Sequence, residues 1–328
     1  MRLLVTGGTG LVGSNILRAA RERYPIEIIA SVFSRTPAQP WDFQTIQMDL
    51  EDKDSITRAI EEARPDVVIH CAAVRDEDRL EVDHPWGWRL MVAGTEALAR
   101  ACQRRRAKLV FISSCWTFGN RGEPPYAEDS PSCPVNYFGL LKTVGETLVR
   151  SLCDNFAITR LPGVQGINWS ATEFNLDQSE EGIGFGSLAN HFYYRLSRGL
   201  PVVVWGEYFN QLDNPIEATD LADMLLAIAT QDHHGVFHVC GRDSVTRLEM
   251  AQLVADAFGF DRSLVRAATP GEIDPRRVAG KLTSPQDSRL QFARSEAQLE
   301  RPYPQIRDGL SRFRSYVEQI ERGSAKRF

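Results

Sequence analysis

Through the first half of the chain, short β-branched and aliphatic runs alternate with longer amphipathic stretches. "RLLVTG" (2–7), "IEIIASVF" (26–33), "TIQMD" (45–49), "DVVIHCA" (66–72), "AKLVFISS" (107–114) and "AITRLPG" (157–163) read as strands. Between them, apolar residues recur at helical spacing near 11–23, 52–63, 87–105 and 136–153. Strands that are apolar almost throughout belong to a sheet covered on both faces, and strand–helix alternation makes neighbouring strands parallel. The pattern predicts an α/β fold with a doubly wound parallel sheet. After Gly163 the texture changes. "VQGINWSATEFNLDQSEEGIGFG" (164–186) is polar, glycine-rich and aperiodic, too long for an ordinary connection, and reads as a binding segment. Alternation then resumes less regularly, with helices expected at 187–198, 218–230, 246–258 and 308–322 and strands at 201–204 and 235–239.

With 328 residues, 43% of them hydrophobic, the chain can bury a large core. Its formal charge of −5 arises from 38 basic and 43 acidic residues that are interspersed. No basic stripe follows, so nucleic acid is not an expected partner. The one local cluster, "RRRAK" (104–108), ends a helical pattern, where cations complement the helix dipole. No apolar run approaches the roughly 20 residues of a membrane span, and a strand pattern begins at Arg2 without a signal-like segment. A cytoplasmic protein without a membrane partner is expected. The six cysteines are scattered, with no C-x-x-C pair and no metal-type spacing, which favours free thiols in a reducing compartment.

"VTGGTGLVGSNIL" sets Gly7, Gly10 and Gly13 between the first strand and the first helix, with Thr9, Leu11 and Val12 among them. Glycines there permit a tight turn, approach of a pyrophosphate to backbone N–H groups, and close helix packing. In this strand–loop–helix context the triplet marks a Rossmann dinucleotide cradle. Ser34 and Arg35 end the second strand, where an NAD site usually places a carboxylate; an arginine suits a 2′-phosphate, so NADP(H) is expected over NAD(H). Asp49 closes the third strand, placed either to meet the adenine amino group or to cap the next helix. The expected organisation is a NADP(H)-binding core over 1–163 and a smaller, mainly substrate-binding α/β region over 164–328, with some segments returning to the core.

"VTGGTGLVG", "HCAAV" (70–74), "FISSCWTFGN" (111–120), "PVNYFGLLKTVGE" (134–146) and "NPIEATDLADML" (214–225) together resemble the extended short-chain dehydrogenase/reductases over essentially the whole chain. Their spacing is similar to that of the dTDP-4-dehydrorhamnose reductases and the methionine adenosyltransferase β subunit. The resemblance implies a nucleotide-activated sugar as substrate and adds Leu50, Cys71, Ala72 and Ala73 to the cofactor contacts. A homodimer is the assembly entertained, though no residue pattern fixes it. In this family a Ser or Thr orients the substrate oxygen, a Tyr is the general acid/base, a Lys lowers its pKa and holds the nicotinamide ribose, and an Asn commonly completes the set. Carried over, the serine is Ser114 and the lysine Lys142.

The other positions depart from the pattern. Met91 stands for the asparagine, Phe138 for the tyrosine, and Cys115 for the aspartate that follows the hydroxyl residue in the rhamnose-type enzymes. Tyr137 does not repair the loss by slippage. Helix positions four apart are separated by about 40° and positions five apart by about 140°, so residue 138 shares a face with Lys142 and residue 137 turns away. Only a π-bulge between 137 and 142 would bring it back. Three functions remain: a reductase with water or another side chain replacing the phenol, a regulatory dinucleotide-binding subunit without turnover, and an epimerase or dehydratase using the Cys115 thiol. In the second half, His191, Tyr193 and Tyr194 are candidates to reach a sugar, Arg195 or Arg198 a diphosphate, and "WGEYFNQLDNP" (205–215) resembles the family's second substrate loop; core packing is the commoner fate of such aromatics.

Overall fold

The computed structural model describes residues 1–34, 37, 41–74, 77–120, 122–171, 188–204, 211–269, 272 and 284–324. Its first half runs β1 (Arg2–Thr6), α1 (Leu11–Arg23), β2 (Glu27–Val32), β3 (Gln44–Gln47), α2 (Lys53–Ala63), β4 (Val67–His70), α3 (Glu77–Val82), α4 (His84–Trp88), a π turn (Arg89–Ala93), α5 (Gly94–Arg105), β5 (Lys108–Ser114), a 3₁₀ turn (Cys115–Thr117), α6 (Tyr137–Leu152) and β6 (Phe156–Leu161). The second half adds β7 (Val164–Gln165), α7 (Leu188–Leu196), β8 (Val202–Val204), β9 (Leu212–Asp213), β10 (Ile216–Glu217), α8 (Ala218–Thr230), β11 (Gly235–His238), β12 (Val245–Thr246), α9 (Arg247–Phe258), β13 (Val265–Ala267), α10 (Ala293–Leu299) and α11 (Ile306–Glu321).

Seven strands form one parallel sheet in the order β3-β2-β1-β4-β5-β6-β11. The chain starts at the centre, steps outward to β3 and returns beside β1 as β4. This reversal opens the crevice at the carboxyl ends of β1 and β4, where such sheets bind ligands. Leu3, Leu4, Val5, Val68, Ile69, Leu109 and Val110 are buried, because helices cover both faces. The second half returns to this core: β11 extends the sheet, and α8, apolar nearly all round, packs against α1. A separate apolar cluster containing Trp169, Phe192, Tyr193 and Phe313 holds the rest of the second half together.

The strands end where the backbone is diverted. The run expected to reach residue 163 stops at Leu161, ahead of Pro162, which has no N–H for a ladder. The run expected to reach residue 72 stops at His70, and Ala72 N donates instead to the Thr6 hydroxyl. The helix expected at 87–105 is α4, a π turn and α5 in succession. In α9, Thr246 and Glu249 make a reciprocal capping box and Gly259, at φ +72°, ends the helix.

Residues 284–291 act as a strap between the halves. Leu212 N donates to Gln286 O, Ser288 N to Leu212 O, Tyr126 N to Arg289 O, and Gln291 N to Tyr126 O. The loop after β5 is thereby fastened to β9.

Candidate active site

The glycine turn between β1 and α1 leaves no room for side chains. A Cβ on Gly7, which sits at φ +66°, would lie 2.8 Å from Ala72 Cα, and one on Gly13 would lie 2.3 Å from Gly7 O. Gly10 N closes the turn onto Gly7 O at 2.9 Å. Gly10 is also the N-cap of α1, with no side-chain cap and no acid in the first turn, so the N–H groups around Leu11 and Val12 face an anion-receptive space. Thr9 is held by its carbonyl, which accepts from the Ser170 hydroxyl at 2.7 Å.

Around this turn lie the other strand ends. Ser34 is exposed just past β2; Arg35, which carries the cofactor-preference argument, lies outside the described residues. Asp49 and Leu50 follow β3 and are half-buried. Asp49 Oδ1 accepts from Glu51 N at 2.9 Å, whereas Asp52 is the residue that caps α2, so Asp49 does not hold the capping role. Cys71, Ala72 and Ala73 lead away from β4. Thr6 links the two central strands through His70 Nδ1 at 2.7 Å. Burial, seconded by the charge of Lys142, pushes the His70 imidazole down to about 3, which keeps it neutral.

Ser114 ends β5 beside this crevice, its oxygen accepting from Trp116 N at 3.1 Å. On α6, Asn136 caps the helix through Gly139 N at 2.7 Å. At the next two positions the paths of Tyr137 and Phe138 diverge. Tyr137 stacks on His84 with centroids 3.9 Å apart and donates its hydroxyl to His84 O at 2.9 Å. Phe138 sets its ring edge-on to Trp116 at 5.9 Å and lies 5.7 Å from the Lys142 amine. α6 is α-helical from its first residue, so no bulge returns Tyr137 to the lysine. The π turn lies instead on the facing segment, centred on Met91, whose carbonyl accepts from the Thr95 hydroxyl at 2.6 Å. Met91 is buried with Leu80, Val92 and Leu141.

Lys142 is buried and donates to Ile112 O at 2.8 Å. Burial pulls its amine down to about 8, with Cys71 and Glu146 opposing the shift. One turn on, Glu146 accepts both prongs of Arg160 (2.9 and 2.8 Å) and the Ser113 hydroxyl (2.6 Å). Burial works to raise the Glu146 pKa, but the hydrogen bonds and charge of Arg160 prevail and hold it below the usual range. This buried pair fastens α6 to β5 and β6 and so fixes where Lys142 emerges.

Cys115 stands in surroundings that disfavour a thiolate. It is buried, and desolvation, reinforced by Asp213, pushes its thiol well above the usual value despite the Ser288 and Ser114 hydroxyls against it. Burial likewise raises Cys71. No disulfide joins the six cysteines.

A pocket in the second half is lined by Gly163, Gln165, Leu188, Gln211, Asp213 and Arg247. Asp213 accepts from Gly163 N at 2.8 Å and Asn214 N at 2.7 Å, and burial pushes its carboxyl up to about 6. Gln211 donates to Ser288 and accepts from Arg247 at 3.4 Å. Sequence reasoning missed Arg247 and Ser288; the "NQLDNP" run was the one available signal for Gln211 and Asp213. The earlier candidates on α7 fare differently. Tyr193 is a core residue against Phe258 and Phe313, its hydroxyl bonded to Glu321. Arg198 lies over Tyr194 at 3.8 Å, and Arg195 binds Pro201 O at 2.8 Å. Residues 172–187 and 205–210 lie outside the described residues. Among the described residues no helix is long and apolar enough to cross a membrane, and no group of three or more His, Cys, Asp or Glu can hold a metal ion.

The model of the RmlD substrate binding domain family matches residues 1–183 and 200–318. The chain belongs to this family. It is 28% identical over 293 residues to methionine adenosyltransferase 2 subunit beta of Xenopus tropicalis, covering 86% of this chain and 81% of that protein. It is 25% identical over 311 residues to the probable low-salt glycan biosynthesis reductase Agl14 of Haloferax volcanii, covering 95% and 96%. Among solved structures, dTDP-4-dehydrorhamnose reductase of Bacillus anthracis in complex with NADP superposes with a TM-score of 0.75 over 97% of this chain and 99% of that one, at 20% identity. The fold is that of the extended short-chain dehydrogenase/reductases.

Proposed function

We propose that this protein is an NADP(H)-dependent reductase acting on a keto group of a nucleotide-activated sugar, with an active site that lacks the usual tyrosine. What supports this reading is the buried Lys142 amine, tied to Ile112 O two residues before Ser114 ends β5, together with a glycine cradle that a single Cβ would block. The chain divides functionally at about residue 163, the first part binding cofactor and the second mainly substrate. Gly7, Thr9, Gly10, Leu11, Val12 and Gly13 would hold the pyrophosphate, Ser34 and Arg35 the 2′-phosphate, Asp49 and Leu50 the adenine, and Cys71, Ala72, Ala73 and Lys142 the nicotinamide end. When bound, the reduced dinucleotide supplies the hydride. Ser114 orients the carbonyl oxygen, and Lys142 holds the nicotinamide ribose. The pocket of Gln211, Asp213 and Arg247 receives part of the sugar nucleotide.

The test is NADPH consumption, followed by absorbance, with 4-keto sugar nucleotides. Turnover that disappears in Lys142→Ala supports the reading; turnover untouched by that change places the site elsewhere. One other reading has an observation behind it. Phe138 and Met91 are apolar where the family's chemistry needs polar groups, and one relative is named as a subunit of a different enzyme. A dinucleotide-binding regulatory subunit would bind NADPH yet consume none. The epimerase or dehydratase reading through Cys115 has less support, because burial raises the thiol away from the lowered value such an acid/base needs.

A further inference from the structure

Reduction of a ketone needs a proton as well as a hydride, and the usual phenol is missing. The other groups near the cleft are occupied or unsuited. Tyr137 gives its hydroxyl to His84 O. His70 is neutral and tied to Thr6. The Cys71 and Cys115 thiols are raised by burial. Lys142 is different. Of its three N–H bonds, one goes to Ile112 O, and no acceptor among the described residues takes the other two. The amine lies 5.3 Å from the Phe111 centroid and 5.7 Å from that of Phe138, the ring at the position where the resemblance expects the phenol.

We propose that the Lys142 ammonium itself delivers the proton to the oxygen of the carbonyl being reduced, in place of the absent phenol; this rests on the reductase reading above. Hydride addition to the carbonyl carbon moves the C=O π pair onto oxygen. That oxygen takes a proton from Nζ, leaving a neutral amine that solvent reprotonates before the next turnover. One substrate ketone becomes an alcohol and one NADPH becomes NADP⁺, so electrons and protons balance. The groups facing Nζ are Cys71 and His70 from the end of β4, the Phe111 and Phe138 rings, and Glu146 on its own helix, whose charge Arg160 and Arg150 neutralise. Burial brings the amine to about 8, a value suited to donation near neutrality.

Two measurements test this. In protein labelled with ¹⁵N-lysine, the Lys142 Nζ resonance is identified by its absence in Lys142→Arg, or in Lys142→Gln if the first fails to fold. It is expected to titrate near 8 with NADP⁺ present; a midpoint at the ordinary lysine value of about 10.4 overturns the proposal. Second, kcat of the native chain is expected to be highest below the lysine pKa and to fall about tenfold per pH unit above it, because the acid must be protonated. Phe138→Tyr is expected to remove that limb while raising kcat. Turnover with a flat profile between about pH 6.5 and 9.5 overturns the lysine donor and leaves the reductase reading standing. Turnover in Phe138→Tyr alone, or in neither protein, overturns both.

Discussion

At the β1–β4 crevice Gly7 and Gly13 have neighbours that forbid a side chain, whereas near the β5–α6 end two positions that the resemblance assigns to polar groups hold buried or half-buried apolar ones. Gly7 and Gly13 are fixed by backbone atoms under 3 Å from where a Cβ would stand. Met91 and Phe138 belong to one hydrophobic cluster with Leu80, Val92 and Leu141. The contrast shows which part of the cleft is constrained by its own geometry. Neither Gly7 nor Gly13 accepts a Cβ without moving backbone, while a ring and a thioether stand at 138 and 91, where the resemblance calls for a phenol and an amide. Binding and proton delivery are therefore separable here, and each can be tested alone.

The largest effect is expected from Phe138→Tyr. A positioned general acid contributes about 10²–10⁴-fold, so restoring the hydroxyl next to Lys142 should raise kcat by an amount in that range. NADPH affinity, measured by fluorescence titration, should stay within a few-fold. An unchanged kcat would mean that the ring at 138 does not face the reacting carbonyl, and the contrast between the two ends of the cleft would lose its catalytic meaning.

Next comes the anchor of α6. Glu146→Gln leaves Arg160 buried with its charge uncompensated, and breaking a buried pair costs about 3–5 kcal/mol. Denaturant unfolding should report that loss, with Arg150 losing its ion pair as well. A loss below about 1 kcal/mol, the range of an exposed pair, would show that water reaches this network in solution.

On the cradle side, Gly13→Ala sets a methyl against Gly7 O. Overpacking of this kind costs about 1–3 kcal/mol, and the displaced turn should lose NADPH binding at the same time. Stability and binding are expected to fall together, which distinguishes this end of the cleft from Phe138, where activity moves and binding does not.

How much of this could be read along the chain depends on element length and on distance in sequence. The long strands and helices of the first half follow from their periodicity, and the glycine turn from its place between β1 and α1. α3 was not foreseen, because in "EDRLEV" only Leu80 marks a buried face. The two-residue strands β7, β9, β10 and β12 are too short for alternation to be visible. The π turn was expected, if anywhere, at 137–142; it lies on the facing segment, at a methionine whose sequence gives no hint of it. The pocket cluster was hardest, since Arg247 and Ser288 reach Gln211 only because the strap at 284–291 folds back across β9. The departures at Phe138 and Met91 were legible, because their neighbours in the motif are intact.

The smallest expected effect decides the question those departures raise. Tyr137→Phe removes one hydroxyl that donates to His84 O and leaves the ring stacked on the imidazole. A single hydrogen bond at a half-buried position contributes about 0.5–1.5 kcal/mol, so stability should drop slightly. Turnover and its pH dependence should not move, since the helix turns residue 137 away from Lys142. If the tyrosine swung into the cleft when substrate bound, the same substitution would lower kcat by orders of magnitude, and the protein would be an ordinary family member with its phenol arriving from one residue earlier. A null effect on kcat, set beside the large gain expected from Phe138→Tyr, would locate the missing hydroxyl at position 138 and leave the lysine amine as the nearest source of the proton.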